Sequence, residues 1–382
     1  MGMTKLRADF SIVTPLFMGG ADPQSAELRV SGMKGMLRFW WRALAWSRLK
    51  SVDQVRSEEA KIFGSTEEGQ SSVKIRLLPP KKTVPIKKKS VLSYNDGTDA
   101  GEGSIYLGYG LIEANGELNR RCLGYPIEDG ALELSFLPST PEDNIKSVEA
   151  ALLAMGFFGG LGSRSRKGYG SFNLKKLTRG DETDPVFISP SDKDGLKRAI
   201  LNLFDPDGRY KILRYDGLPP YTAFSKMMRI DILDTSDEPL RLLNSIGDKM
   251  MEYRSYRKEK NFLDDYKLIR DALAGNVIYN HPKRSIFGLP HNYYFSSTKE
   301  SAKVKPKDHE RRASPLFIHI QRMNESQFAA ITAIIPADFL PHGEKIMVGD
   351  SPVDADVNGY KVLHEFIDGR DTPRFASLVR VI

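Results

Sequence analysis

Short, partly β-branched runs alternate with helix-patterned stretches in the order β-α-β-β-α-β, and a similar order returns in the second half of this 382-residue chain. A glycine-framed basic loop closes the first set, and a polar stretch over 179–195 separates it from the second. These observations predict an α+β fold of two tandem ferredoxin-like (RRM-like, βαββαβ) units with insertions, residues 1–178 forming the first and 179–382 the second. The length suffices for two hydrophobic cores of ordinary size.

Leu6 to Val13 is the first expected strand, ended by Thr14-Pro15. Gly19-Gly20-Ala21-Asp22-Pro23 turns the chain into a helix from about Ser31 to Lys50, with Ser31 as its expected N-cap. Ser72 to Leu78 is a second strand, halted by Pro79-Pro80. Residues 81–103 carry lysines at 81, 82, 87, 88 and 89 and read as a mobile insertion. Strands near 104–113 and 131–137 precede a helix from about Pro141, a residue suited to a first turn, to Phe158. Gly170 to Leu177 returns as a strand. In the second half, 222–233 is the first strand and 238–274 a long, charged helical region. Strands are expected near 284–296, 314–320 and 328–335, a helix around 357–368 and a last strand at 374–382. Residues 297–312, charged and almost without apolar content, read as disordered or loop-like.

Composition narrows the function. With 40% hydrophobic and 27% charged residues the chain has the balance of a soluble globular protein. No run of about 18 apolar residues is present, so no membrane partner is expected. The opening MGMTKLRADFSIVTP lacks the apolar centre of a signal peptide, and Leu6 stands where a myristoylation signal has Ser or Thr. A single cysteine, Cys122, excludes an intramolecular disulfide and fits a cytoplasmic protein. The net charge of +7 is modest for this length, but its distribution is uneven. Residues 31–50 hold Lys34, Arg38, Arg42, Arg48 and Lys50 without an acid, and 164–179 hold Arg164, Arg166, Lys167, Lys175, Lys176 and Arg179 without one. A third block, 283–312, includes Arg284, Arg311 and Arg312 and is diluted by Glu300, Asp308 and Glu310. Clustered cations of this kind suit a phosphate backbone, although any one run can be a solvated face.

The loop Gly160-Leu161-Gly162-Ser163-Arg164-Ser165-Arg166-Lys167-Gly168-Tyr169-Gly170 is the strongest motif. Glycines at its corners would let backbone N–H groups approach an anion. Arg164, Arg166 and Lys167 would supply charge, and Ser163 and Ser165 hydroxyl donors. The loop follows a helix and precedes a strand, the reverse of a P-loop or Rossmann turn, and lacks a GKS or GKT ending, so nucleotide binding in that style is excluded. On the helix from Ser31, Lys34, Arg38 and Arg42 fall in one stripe beside Trp41. That ridge is expected to meet phosphates, with Trp41 able to stack on a base and Trp40 in the core.

Catalytic chemistry has less support. No histidine pair stands at i, i+4 and no HExxH occurs, and Asp350, Asp354 and Asp356 miss the EF-hand spacing, so no metal or other cofactor is expected. Cys122 has no evident partner as a nucleophile. His281 and His291, near Arg284 and the Tyr293-Tyr294 pair, are the candidates for metal-free RNA cleavage.

The glycine loop resembles the C-terminal glycine-rich motif of the RAMP superfamily of CRISPR-associated RNA-binding proteins. Thr14-Pro15-Leu16-Phe17-Met18-Gly19-Gly20-Ala21, Ala26-Glu27-Leu28-Arg29 and Lys34-Gly35-Met36-Leu37-Arg38-Phe39-Trp40-Trp41-Arg42-Ala43 are similar to the RAMP subunit numbered first in the type III-B (Cmr) effector complex. Phe287-Gly288-Leu289-Pro290 and Arg312-Ala313-Ser314-Pro315-Leu316 carry the likeness into the second half. The resemblance implies a non-catalytic, cytoplasmic subunit of an antiviral RNA-guided complex, touching guide or target single-stranded RNA and other Cmr subunits, with target cleavage assigned to another RAMP subunit. The expected RNA contacts are Lys34, Arg38, Trp41, Arg42, Gly160, Gly162, Ser163, Arg164, Ser165, Arg166, Lys167, Gly168, Gly170, Arg284, Arg311 and Arg312. The alternative is a metal-independent endoribonuclease of the RAMP type with a histidine base.

Overall fold

The computed structural model describes residues 3–20, 25–88, 102–111, 117–180, 184–212, 215–256, 258–355 and 357–382. In chain order the first half contains β1 (Lys5–Ile12), α1 (Val30–Leu49), α2 (Val52–Phe63), β2 (Val73–Leu78), β3 (Pro85–Lys88) and α3 (Glu102–Leu107). It continues with β4 (Glu117–Leu123), β5 (Ile127–Phe136), α4 (Glu142–Phe158) and β6 (Phe172–Arg179). Then come β7 (Phe187–Ile188), α5 (Lys193–Leu203), β8 (Arg229–Ser236), α6 (Pro239–Arg254), α7 (Leu263–Leu273), a 3-10 turn (Lys283–Phe287), β9 (His291–Phe295) and β10 (Glu300–Pro306). The chain ends with β11 (Leu316–Arg322), β12 (Phe328–Ile334), β13 (Ile346–Val348), β14 (Ser351–Val353), a 3-10 turn (Val357–Tyr360), α8 (Lys361–Asp368) and β15 (Val379–Arg380). The fold is α+β with antiparallel sheets, as the sequence predicts.

The first sheet runs β2-β5-β1-β6-β7 and the second β11-β12-β8-β15. In β1 the alternation required by a strand puts Leu6, Ala8, Phe10 and Ile12 into the core. Phe10 lies on Phe172 of β6 with ring centroids 4.9 Å apart. α4 is buried around its whole circumference because it touches α1 and β6 on one side and β11 and β12 on the other. Trp40 of α1 stacks on Phe224 at 5.8 Å and meets Phe317 of β11 at 5.4 Å, so the two halves share one apolar cluster. A third sheet, β14-β13-β10-β9, and the β3-β4 ladder are insertions around these two sheets.

Several expectations change. Residues 102–107 are helical, not a strand: Gly103 and Gly247 let α3 and α6 approach backbone to backbone, and a Cβ on Gly247 would lie 1.9 Å from the Gly103 carbonyl. Residues 300–306, expected to be loop-like, form β10 between β9 and β13. The helical region over 238–274 is two helices, and 283–287 is a 3-10 turn ahead of β9. α2 and α5 were not anticipated. Both are amphipathic and capped, by Ser51 and Asp192 respectively. Helix α1 starts at Val30 after Arg29, so Ser31 is within the first turn and does not cap it. The turn at Ala21-Asp22-Pro23, residues 89–101 of the lysine-rich stretch, residues 181–183 and Asp356 lie outside the described residues. Among the described residues no helix is long and apolar enough to cross a membrane.

Candidate nucleic-acid interface

The basic loop is locked in place. The Ser163 N–H donates to the Phe17 carbonyl at 2.8 Å, Gly170 to Pro15 at 2.9 Å and Leu161 to Gly170 at 2.9 Å. On its other side the Ile318 N–H of β11 donates to the Arg166 carbonyl at 3.0 Å, and the Thr14 hydroxyl donates to the Gly168 carbonyl at 2.7 Å. The glycines serve this packing. Gly162 and Gly168 have φ of 76° and 83°, and an added Cβ would lie 2.4 Å from the Phe17 carbonyl oxygen and 2.4 Å from Leu243 Cδ2 respectively. The N–H groups of Ser163, Lys167, Gly168 and Gly170 bond to protein carbonyls. The N–H groups of Gly168 and Gly170 are therefore taken up within the protein, and the glycines bring segment 14–17, the loop and β11 together.

Three cations project from this frame. Arg164, itself at φ 62°, is exposed and donates through Nε to the Tyr109 carbonyl at 2.9 Å. Arg166 donates to the Ser314 carbonyl at 2.7 Å, with its guanidinium 4.5 Å from the Phe317 ring and 5.5 Å from that of Phe39. Burial, with help from Arg312, lowers Arg166 to about 10. Lys167 is set among protein atoms, though water still reaches part of it. Burial and the charges of Arg254, Arg164 and Arg166 lower it to about 7.

The groups facing Lys167 extend the set beyond the predicted residues. Arg254, at the end of α6, donates through Nη2 to Nε2 of His291 at 3.2 Å. Because a guanidinium can only donate, this bond leaves the His291 proton on Nδ1. Arg284 donates to the Arg254 carbonyl at 3.3 Å and sits 4.8 Å above the Tyr293 ring. Burial, then the charges of Arg254, Arg284 and Lys167, hold His291 well below its ordinary value. Arg312 lies 5.5 Å from the Phe339 ring and donates to the Phe339 carbonyl, and Arg311 is exposed. Among the described residues, Arg166, Lys167, Arg254, Arg284 and Arg312 form no ion pair with a carboxylate, although the protein forms many elsewhere.

The ridge on α1 is built differently. Arg38 and Arg42 both bind the buried Glu59 of α2, at 2.6 and 2.7 Å, and Lys34 donates to the Phe63 carbonyl at 2.8 Å. The two arginines stay part-exposed, but one carboxylate offsets much of their field. Trp41 is 1% exposed and donates to Ser147 Oγ at 2.9 Å, so it has no ring face for a base, contrary to expectation. The structure thus gathers Arg164, Arg166, Lys167, Arg284 and Arg312, adds Arg254 and His291, and turns the ridge toward α2. Sequence reasoning missed Arg254 because it stands in the run Glu252-Tyr253-Arg254-Ser255-Tyr256, where nothing separates it from a solvated helix charge.

Of the two histidines considered as bases, His281 is 7% exposed, with its ring stacked on Phe339. Cys122 is buried, and burial raises its thiol to about 12. Among the described residues no group of three or more His, Cys, Asp or Glu is placed to hold a metal ion.

Comparison with known proteins agrees with the motifs. The RAMP superfamily profile matches residues 9–173. The Cmr subunit Cmr1-2 of Pyrococcus furiosus is 30% identical over 183 residues, 44% of this chain and 94% of that protein. The Cmr subunit Cmr1-1 of the same organism is 25% identical over 321 residues, 82% of each chain. The crystal structure of apo Cmr1 from P. furiosus superposes with a TM-score of 0.58 at 18% identity, covering 100% of this chain and 99% of that one. A chain of the type III-B Cmr-beta complex bound to cognate target RNA gives 0.52 at 13% identity, covering 96% and 99%. The motifs, the shared fold and a 30% identical match that spans 94% of Cmr1-2 lead to one assignment: the chain belongs to the RAMP superfamily, as a Cmr1-type member.

Proposed function

We propose that this chain is a non-catalytic subunit of a type III-B CRISPR (Cmr) effector complex, holding single-stranded guide or target RNA in the cytoplasm beside other Cmr subunits. The observation that carries this reading is the cation set Arg166, Lys167, Arg254, Arg284 and Arg312, gathered from four parts of the chain with no carboxylate ion pair among the described residues; Asp265, beside Arg284, is bonded to backbone N–H groups instead. Taking a charge out of water costs several kcal/mol in real proteins, and a paired acid normally offsets it. Here the offset is missing, which is the arrangement expected when the counter-charge arrives as a ligand. The P. furiosus relatives are Cmr subunits, and one neighbour in fold comes from a complex bound to target RNA, which supports RNA as that ligand.

The architecture proposed for this role is a pair of ferredoxin-like units, residues 1–178 and 179–382. Its support is that both sheets follow one plan: numbering the four strands of each βαββαβ set in sequence gives the order 2-3-1-4 in both. The RNA surface then runs where the loop closing the first unit meets α6 and β11 of the second. A non-catalytic role fits the histidines. His281 is packed against a ring, and His291, kept well below its ordinary value among cations, is a poor general base.

Fluorescence anisotropy with labelled single-stranded RNA across a salt series tests this. Each lost phosphate contact should flatten the dependence of log K on log salt by roughly 0.7. Replacing Arg164 and Lys167 together should lower the slope by about 1.4. An unchanged slope would remove the loop from the RNA path. RNA cleavage in EDTA that is lost in His291→Ala would instead establish the ribonuclease reading.

A further inference from the structure

We propose that the junction of the glycine loop with α6 and β9 binds the terminal phosphate of an RNA strand, a phosphate monoester. This deepens the RNA-binding reading and rests on it.

Three nitrogens from three elements mark this junction. Nε of Arg254 on α6, Nε of Arg284 on the 3-10 turn and Nδ1 of His291 on β9 are shut off from solvent and have no hydrogen-bond partner among the described residues. The first two always carry a proton. The bond from Arg254 to Nε2 puts one on the third as well, so all three are donors; beside the two arginines stand the Tyr106 and Tyr293 side chains, and no carboxylate is bonded to either. Orphaned donors in a charged, closed place are rare in native structures and call for an explanation. Lys167 closes the set from the loop side, its charge opposed by Arg254, which also bears on His291.

Charge and shape select the kind of phosphate. Lys167, Arg254 and Arg284 contribute cationic charge here. The acid beside them, Asp265, accepts the backbone N–H groups of Lys283 and Arg284 at 2.8 and 3.0 Å and makes no ion pair with the arginine. An internal phosphodiester brings a single negative charge and leaves most of this field unmatched. A terminal phosphate brings about −1.5 to −2 near neutral pH, with three strong acceptor oxygens. The walls are aromatic: the Arg254 guanidinium lies 5.0 Å from the Phe287 ring and 5.8 Å from that of Tyr106, and Arg284 lies 5.5 Å from Tyr266. A phosphate inside the strand carries chain on both sides and would have to force both past these rings. A chain end carries one. The exposed Arg164 and Arg311 remain for the phosphates that follow.

The test uses the full-length chain and one internally labelled oligoribonucleotide in three forms, with a 5′-phosphate, with a 3′-phosphate and with hydroxyls at both ends. One phosphorylated form should bind about tenfold or more tightly than the hydroxyl-ended form, the worth of at least one charge-assisted hydrogen bond. Arg254→Met and Lys167→Met should each abolish that preference, with urea melts confirming that both variants fold. Inorganic phosphate should erase the preference while leaving hydroxyl-ended RNA bound, which separates the end of a strand from free phosphate as the occupant. Equal affinity for all three forms, or a preference that survives in both variants, defeats the terminal-phosphate proposal and leaves the RNA-binding reading intact. Failure of a folded protein to bind any form defeats the RNA-binding reading as well.

Discussion

Lys167→Met should make the free protein more stable and its RNA complex weaker. The lysine falls from 10.5 in an unfolded chain to about 7 in the fold, driven by burial and by Arg254, Arg164 and Arg166. At about 1.36 kcal/mol per pH unit this sets a ceiling of roughly 4–5 kcal/mol on the cost of folding with Lys167 charged. Water reaches part of the side chain, and that screening brings the expected gain in Lys167→Met to about 1–3 kcal/mol. A flexible apolar chain of similar length keeps the contacts of the lysine stem, so little is lost in exchange.

The pH dependence has a definite sign. Above about 7 the folded protein has released the Lys167 proton while the unfolded chain keeps it until about 10.5. The unfolded state binds more protons in that window, so wild-type stability relative to Lys167→Met rises with pH. The groups facing the ammonium are Arg164 and Arg166 on its own loop, Arg254 from α6 and His291 from β9; none of them supplies a negative charge there. Urea unfolding of both proteins at pH 7 and pH 9.5 reads the difference directly, with groups common to both cancelling. A variant less stable than wild type at pH 7, or a gap that stays constant between the two pH values, would refute the claim that an uncompensated ammonium is held at this junction.

Other outcomes follow from neighbouring geometry. RNA affinity should fall as pH rises above about 7, by at most a factor of ten per pH unit, because bound phosphate restores the Lys167 proton; titration by anisotropy should show this in wild type and not in Lys167→Met. Glu59→Ala removes the carboxylate shared by Arg38 and Arg42 and should cost about 2–4 kcal/mol in chemical denaturation, since it strands two arginines over a buried site. Trp41→Phe should lose the bond to Ser147 and roughly 1 kcal/mol of stability while leaving RNA affinity unchanged, as the ring is closed to bases. Gly247→Ala should destabilise by several kcal/mol or displace α3, because its Cβ would overlap the Gly103 carbonyl, and hydrogen exchange of α3 reports it.

The main elements of the α+β fold were legible because β1, α1, α4, β11 and β12 have local patterns that match their fates: alternation in β1, long apolar helices in α1 and α4, and mostly apolar runs in the buried strands. What was not legible depends on contacts distant in sequence. Ile105-Tyr106-Leu107 reads as a strand until Gly103 meets Gly247 and makes the segment a helix against α6. Lys303 and Lys305 read as solvated until Ala302, Val304 and Pro306, on the alternate face, are seen buried under the third sheet. At the site, the loop could be read as basic, but whether a cation is spent on an acid cannot be read from its own neighbourhood. Arg38 lies 21 residues from the Glu59 that binds it, whereas Lys167 is 87 residues from the Arg254 that opposes it.

Under the proposed RNA-binding role, that contrast separates two similar basic features. By charge alone, the α1 ridge and the glycine loop are equals, each with three cations and no acid in its own run. Folding separates them: it brings Glu59 to the ridge and Arg254, Arg284 and Arg312 to the loop. A site selected for stability would take the first course, because a paired charge costs less than a bare one. The loop takes the second and accepts a less stable free state, with Lys167 forced toward neutrality and His291 kept from charging. Under the proposed RNA-binding role, a polyanion that arrives after folding turns that arrangement from a cost into a gain. In that reading the signature of the interface is the absence of ion pairs at the loop more than the number of arginines and lysines.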